Sequence, residues 1–75
     1  MPQAYILFNV EAGSEEQVRQ DVKNVVGVQE VFVSYGVYDL IVKVAAASVE
    51  LLREIVTYRL RTIEKVRSTV TLILT

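Results

Sequence analysis

The first apolar run, residues 4–10 ("AYILFNV"), has strand length and is rich in the β-branched and aromatic residues that suit one. "EAGSEEQ" then breaks the run and opens a helix. Ser14 stands as its cap, Gln17 completes a capping box, and Glu15 and Glu16 sit at the positive end of the helix dipole. Val18, Val22, Val25 and Val26 follow at helical spacing, and Gly27 supplies a left-handed stop. Valine is a modest helix former, so this stripe has to be held by packing against a sheet. Two further apolar runs, residues 28–35 and 38–46, flank a Gly36-Val37 pair and predict a hairpin with glycine at the first central position of its turn. Ser48 caps a second helix whose buried side is Leu52, Ile55, Val56, Leu60 and Ile63, while Arg53, Glu54, Thr57 and Arg61 face water. Residues 66–74 ("VRSTVTLIL") read as the closing strand.

Strand, capped helix and strand thus occur twice, over residues 4–35 and 38–74. The order β-α-β-β-α-β predicts a split βαβ, ferredoxin-like α+β sandwich, with two helices on one face of a four-stranded, mainly antiparallel sheet. With Gly36 and Val37 in the turn, Tyr35 pairs with Tyr38, Ser34 with Asp39, Val33 with Leu40, Phe32 with Ile41, Val31 with Val42, and Glu30 with Lys43. Alternation puts Tyr35–Tyr38, Val33–Leu40 and Val31–Val42 under the helices. Phe32 and Ile41 fall on the other face, and Leu7 from the first strand and Ile73 from the last are expected beside them. A sheet covered on one side should show water a polar second side. Leu7, Phe32, Ile41 and Ile73 instead make an apolar patch, which a symmetric sheet-to-sheet dimer covers most economically.

Size sharpens that expectation. Seventy-five residues make one domain, residues 1–75, with a marginal core, and an apolar fraction of 52% favours association with other copies. There is no cysteine and no histidine, which excludes disulfides, iron–sulfur clusters and zinc sites. The lack of cysteine suits a reducing cytoplasm. Eight basic and nine acidic residues give a net charge of −1 with no run of like charge, so neither nucleic acid nor an anionic membrane has an electrostatic footprint. No apolar run approaches the ~20 residues of a membrane span, and "MPQAYILF" lacks the pattern of a signal peptide. The expectation is a whole, soluble, cytoplasmic protein without cofactor or metal.

Catalytic groupings are scarce. Without His or Cys the common general bases and nucleophiles are missing, and Gly13, Gly27 and Gly36 are isolated instead of gathered in a phosphate loop. The first and third strands lack the aromatic-and-basic pattern by which ferredoxin-like domains stack RNA bases. Asp39, at a strand end beside the turn, is the remaining candidate. It reads either as a polar residue bonded to solvent or backbone, or as a carboxylate ready to pair with a cationic ligand group. Tyr35 and Tyr38 read as an aromatic pair steadying the hairpin, Ser68, Thr69 and Thr71 as strand formers, and Arg59 and Arg61 as a solvated helix face.

"GVQEVFVSYGVYDLIVKV", a helix and then "VRSTVTLIL" together resemble the C-terminal effector-binding (RAM) domain of the Lrp/AsnC transcription regulators. The Gly-x-Tyr-Asp turn and the closing Thr-x-Thr strand carry the likeness, which runs over essentially the whole chain. Family members usually bear an N-terminal helix-turn-helix domain, and this chain resembles the version without one. The resemblance implies a non-enzymatic domain that dimerises through its sheet, assembles into a ring of dimers, and holds a small amino-acid effector between dimers near the glycine turn. By position, Gly36, Val37, Tyr38 and Asp39 match the effector loop, with Ser34 and Tyr35 beside it and Thr69 and Thr71 on the closing strand. In that role Gly36 lets backbone amides approach the ligand, and Asp39 receives its ammonium group. Such a domain would modulate a DNA-binding relative by joining its oligomers, with no nucleic-acid contact of its own. Where the family often has glycine before the last strand this chain has Lys65, so that loop is expected to be shaped differently. The last strand is expected to start at the opposite end of the sheet from the third, so that Thr69 and Asp39 meet only between subunits. Two other readings stay open: a purely structural oligomer without ligand, and a small ferredoxin-like enzyme using Asp39 or a tyrosine as acid or base.

Overall fold

Every second residue of β1 (Gln3–Val10) is buried, with Ala4, Ile6, Phe8 and Val10 turned into the core and Tyr5, Leu7 and Asn9 turned away. That alternation belongs to a strand with one covered face, and the rest of the chain is built around it. The computed structural model describes residues 1–74. After β1 come α1 (Glu15–Lys23), β2 (Val28–Val33), β3 (Leu40–Ala45), α2 (Val49–Glu54) running directly into a π-helical segment (Ile55–Leu60), and β4 (Val66–Leu74). The sheet order is β2-β3-β1-β4, and all three strand pairs are antiparallel. This is the ferredoxin-like α+β arrangement. One apolar cluster joins Ile6, Phe8, Leu40, Val42 and Val44 of the sheet to Val18 and Val22 of α1 and to Leu52, Ile55, Val56 and Leu60 of the second helical stretch.

Several local signals hold. Ser48 caps α2, its Oγ accepting from the Leu51 N–H at 3.1 Å. The hairpin register runs Glu30↔Lys43, Val31↔Val42, Phe32↔Ile41 and Val33↔Leu40, as alternation about residues 36 and 37 requires. Gly27, at φ +101°, ends the turn after α1 and lets β2 begin.

Other expectations fail. Ser14 makes no side-chain cap to α1, and Val26, 87% exposed, lies beyond the end of that helix. The two-residue turn is absent. The β2–β3 ladder stops at Val33↔Leu40, and residues 34–39 form a wider loop closed by the Ser34 N–H donating to the Asp39 carbonyl at 2.9 Å. Gly36 has φ +147°, far from the about +60° of a type II′ turn. Asp39 at the end of this loop is also tied to β1, its N–H donating to the Phe8 carbonyl at 2.8 Å. Tyr35 is left 95% exposed, so no Tyr35–Tyr38 pair lies under the helices.

Two corrections concern β4. Ile73 stands opposite Ala4 and packs against the core, so it lies on the helix side; the open face of β4 is Val70, Leu72 and Leu74. The open sheet face therefore carries Phe32, Ile41, Leu7 and Val70 in one row across the four strands. Secondly, β3 and β4 start at the same end. Each runs against β1, so they run with each other, and Leu40 and Thr69 both stand opposite Phe8. Lys65, before β4, takes φ +76°, a left-handed conformation that costs an L-residue about 1–2 kcal/mol. Its carbonyl accepts from the Glu11 N–H at 2.8 Å, so the departure from glycine there shows as strain.

A methyl group at Gly27 would come within 3.0 Å of the Ala45 carbonyl oxygen and 3.1 Å of Ile55 Cδ1, whereas one at Gly36 meets nothing within 4 Å. Gly27→Ala should therefore cost about 2–5 kcal/mol, from left-handed strain plus overpacking. Gly36→Ala should cost about 1–3 kcal/mol, from backbone strain at φ +147° alone. Urea unfolding followed by circular dichroism measures both, and equal losses would contradict the close approach at Gly27.

Candidate functional site

Beyond Phe8↔Leu40 the β1–β3 ladder continues through a side chain. Asp39 Oδ2 accepts the Val10 N–H at 2.9 Å, while the Asp39 N–H donates to the Phe8 carbonyl. The carboxylate thus serves as the next rung and satisfies a part-buried amide that would otherwise be orphaned. Of the two readings of Asp39, the backbone-bonded one is met by Oδ2. Oδ1 makes no hydrogen bond among the described residues.

Asp39 helps to line a cleft of about 360 Å³, together with Asn9, Val10, Arg67 and Ser68. Asn9 Nδ2 donates to Ser68 Oγ at 3.3 Å across one wall. Arg67 is there because of a bulge. The β1–β4 register steps from Asn9↔Ser68 to Val10↔Val66 and leaves Arg67 without a partner. In unbroken alternation Arg67 would stand opposite the buried Val10, under the helices; bulges re-aim side chains in this way. Among the described residues Asp39 and Arg67 form no ion pair, with each other or with any other side chain.

The loop of residues 34–39 adjoins this end of the sheet. Ser34, Tyr38 and Asp39 are half-buried, while Tyr35, Gly36 and Val37 are exposed. Thr69 and Thr71 lie elsewhere, on the helix side of β4, with Arg53, Thr57 and Arg61. Within one chain, then, Asp39 meets Asn9, Arg67 and Ser68 but neither threonine. They share an end of the sheet and are parted by its two faces. Nothing in "KVRST" marks a bulge, so the sequence carries no sign that Arg67 reaches this cleft. The strongest charge perturbation lies away from the cleft: a hydrogen bond from Arg19, with Gln20 assisting, holds the exposed Glu16 carboxyl down to about 2. Among the described residues no three His, Cys, Asp or Glu side chains gather as metal ligands, and no helix is long and apolar enough to cross a membrane.

The family model described as the Lrp/AsnC ligand binding domain matches residues 3–75. The chain belongs to the Lrp/AsnC ligand-binding domain family. Among solved structures, this Lrp/AsnC domain is similar to hypothetical protein PHS023 from Pyrococcus horikoshii, with 35% identity over 100% of this chain and 90% of that one and a TM-score of 0.93. It is likewise similar to FFRP-DM1, with 35% identity over 100% of both chains and a TM-score of 0.94. Two more distant structures share the fold at 17% and 20% identity, with TM-scores of 0.81 and 0.80: a transcriptional regulator, NMB0573, in complex with L-Met from Neisseria meningitidis, and a feast or famine regulatory protein, Rv3291c, from M. tuberculosis complexed with L-methionine. The Lrp/AsnC domain covers 99% of itself but only 49% and 50% of those two chains. Among curated proteins, none matches.

Asparagine at position 39 can still accept the Val10 N–H, and alanine cannot. Asp39→Ala should lose about 1–3 kcal/mol of stability, the cost of an unsatisfied buried donor, and Asp39→Asn under about 1 kcal/mol. Chemical denaturation of the two variants checks this, and a loss in Asp39→Ala no larger than in Asp39→Asn would show that the rung carries no weight.

Proposed function

We propose that this chain is an oligomeric regulatory domain that binds an amino-acid effector in the cleft at the end of its sheet. The observation that carries this reading is the pair of opposite charges, Asp39 and Arg67, lining one cleft without pairing. A free amino acid is a zwitterion and answers both charges at once. Its ammonium group meets Asp39 Oδ1, and its carboxylate meets the Arg67 guanidinium in a charge-assisted, bidentate contact. Ser34, Tyr35, Gly36, Val37 and Tyr38 supply the neighbouring wall and backbone amides. Thr69 and Thr71, on the helix side of β4, lie outside this cleft within one chain. The L-methionine complexes of the two distant regulators support the ligand class.

The same reading places a second copy on the open sheet face. Phe32 (46% exposed), Ile41, Leu7 and Val70 form an apolar row there, with Tyr5, Leu72 and Leu74 alongside. Association at that face supplements a core too small to be self-sufficient. An effector bound between the resulting dimers stabilises their ring by its preference for that assembly, by about 2.7 kcal/mol per site at a hundredfold excess over Kd. The action is regulatory, with no chemical step, and its outlet is a DNA-binding Lrp/AsnC relative whose oligomers this domain joins.

Light scattering in dilute neutral buffer should return at least the mass of a dimer, with Phe32→Lys or Ile41→Lys shifting it toward one chain. A wild-type monomer that melts cooperatively refutes the assembly.

Calorimetric titration with a panel of amino acids that includes L-methionine tests the cleft. Asp39→Asn and Arg67→Gln should each weaken binding by about 1.5–3 kcal/mol, the range for hydrogen bonds to charged groups. Parent-like affinity in both variants would remove the effector from this cleft.

A further inference from the structure

A second cleft, of about 350 Å³, opens on the helix side of β4, between that edge strand and the α2–π ridge. Arg53, Thr57 and Arg61 line it from the ridge, and Thr69 and Thr71 from the strand. No carboxylate lines it. Among the described residues neither arginine makes an ion pair or a side-chain hydrogen bond, and none of the three threonine hydroxyls is engaged. Two unbalanced guanidinium groups therefore converge with three free hydroxyls, on a chain whose net charge is −1.

The backbone of the ridge explains the convergence. In a regular α-helix each step of four residues advances by about 40°, so residues eight apart diverge by about 80°. Here the chain winds wider across Ile55–Leu60, closing with the Arg61 N–H on the Val56 carbonyl at 3.0 Å, five residues back. The wider turn takes up the advance and keeps Arg53, Thr57 and Arg61 on one row above the strand. Single π turns of this kind recur at functional sites.

We propose that this cleft binds a small doubly charged oxyanion of the phosphate class, free or as a phosphomonoester. The planar guanidinium forks of Arg53 and Arg61 match phosphate oxygens bidentately. The hydroxyls of Thr57, Thr69 and Thr71 donate to the oxygens that remain. A zwitterion is a poor fit, because no acid stands in the cleft to take an ammonium group. The site is therefore separate in chemistry from the one at Asp39, and it gives the domain a second ligand input on the opposite side of the sheet.

The test is a titration of the full chain, followed by amide shifts in nuclear magnetic resonance, with ionic strength held constant by sodium chloride. One arm uses inorganic phosphate and the other glycerol phosphate, and the tighter of the two names the source. Either anion should give saturable shifts at Thr57, Thr69 and Thr71 with one site per chain. Arg53→Gln and Arg61→Gln, both at exposed positions, should each weaken that binding about tenfold or more, while Lys23→Gln, removing a charge on α1, leaves it unchanged. Non-saturating shifts spread over the surface, parent-like affinity in both arginine variants, or displacement of the anion by equimolar glycine would each overturn the proposal.

Discussion

The cleft at the end of the sheet depends on β1 lying between β3 and β4 and running against both. Two antiparallel pairings in succession restore direction, so the two outer neighbours begin at the same place, on either side of Phe8. Residues just before or at the start of each are thereby collected at one end of the sheet. Asp39 comes from the approach to β3, and Arg67 and Ser68 from the first turn of backbone in β4. The end of β1 is the shared boundary, and its last amide, at Val10, needs an acceptor. Asp39 supplies one through Oδ2, which fixes the carboxylate in orientation and leaves its other oxygen without a hydrogen bond among the described residues. A structural requirement and a candidate ligand contact are thus served by two atoms of the same side chain.

The two faces of the sheet divide the remaining chemistry. The covered face is saturated: Ile6, Phe8, Leu40, Val42 and Val44 are fully buried against the helices. The open face is apolar in its central row and carries a charge pair, Glu30 with Lys43 at 4.0 Å, in the next. An exposed pair of this kind adds little stability; in the face-to-face contact proposed above it would set the orientation of the two copies. Edge strand β4 has a cleft on each side, one with mixed charge at its bulge and one with only positive charge beneath the π segment. Both departures from regular geometry, a bulge and a π turn, bring an arginine into a cleft that regular geometry would have kept it from.

Much of the fold was legible from local pattern. The closing strand Val66–Leu74, the Ser48 cap and the pairing from Glu30↔Lys43 to Val33↔Leu40 depend on spacing and on residues close in sequence. The site was legible only in part. Asp39 stands out as an acid at a strand end beside a turn, yet its bond to Val10 joins residues far apart in the chain. Arg67 was invisible because a bulge leaves no periodic trace, and Ile73 was put on the wrong face because β4 has apolar residues on both sides. The wider turn at Gly36 goes with an Asp39 backbone held from both sides, by the Phe8 carbonyl and the Ser34 N–H, one of which is distant in sequence.

What the sequence by itself determined is the order of elements, the apolar positions of β1 and β3, and the absence of histidine and cysteine chemistry. These follow from periodicity and composition, which are properties of neighbours along the chain. What only the tertiary structure decided is which charges share a cleft, which face of β4 is open, and where Lys65 must accept φ +76°. Each of these depends on register between strands distant in sequence. A one-residue step in that register moves a side chain to the other face of the sheet.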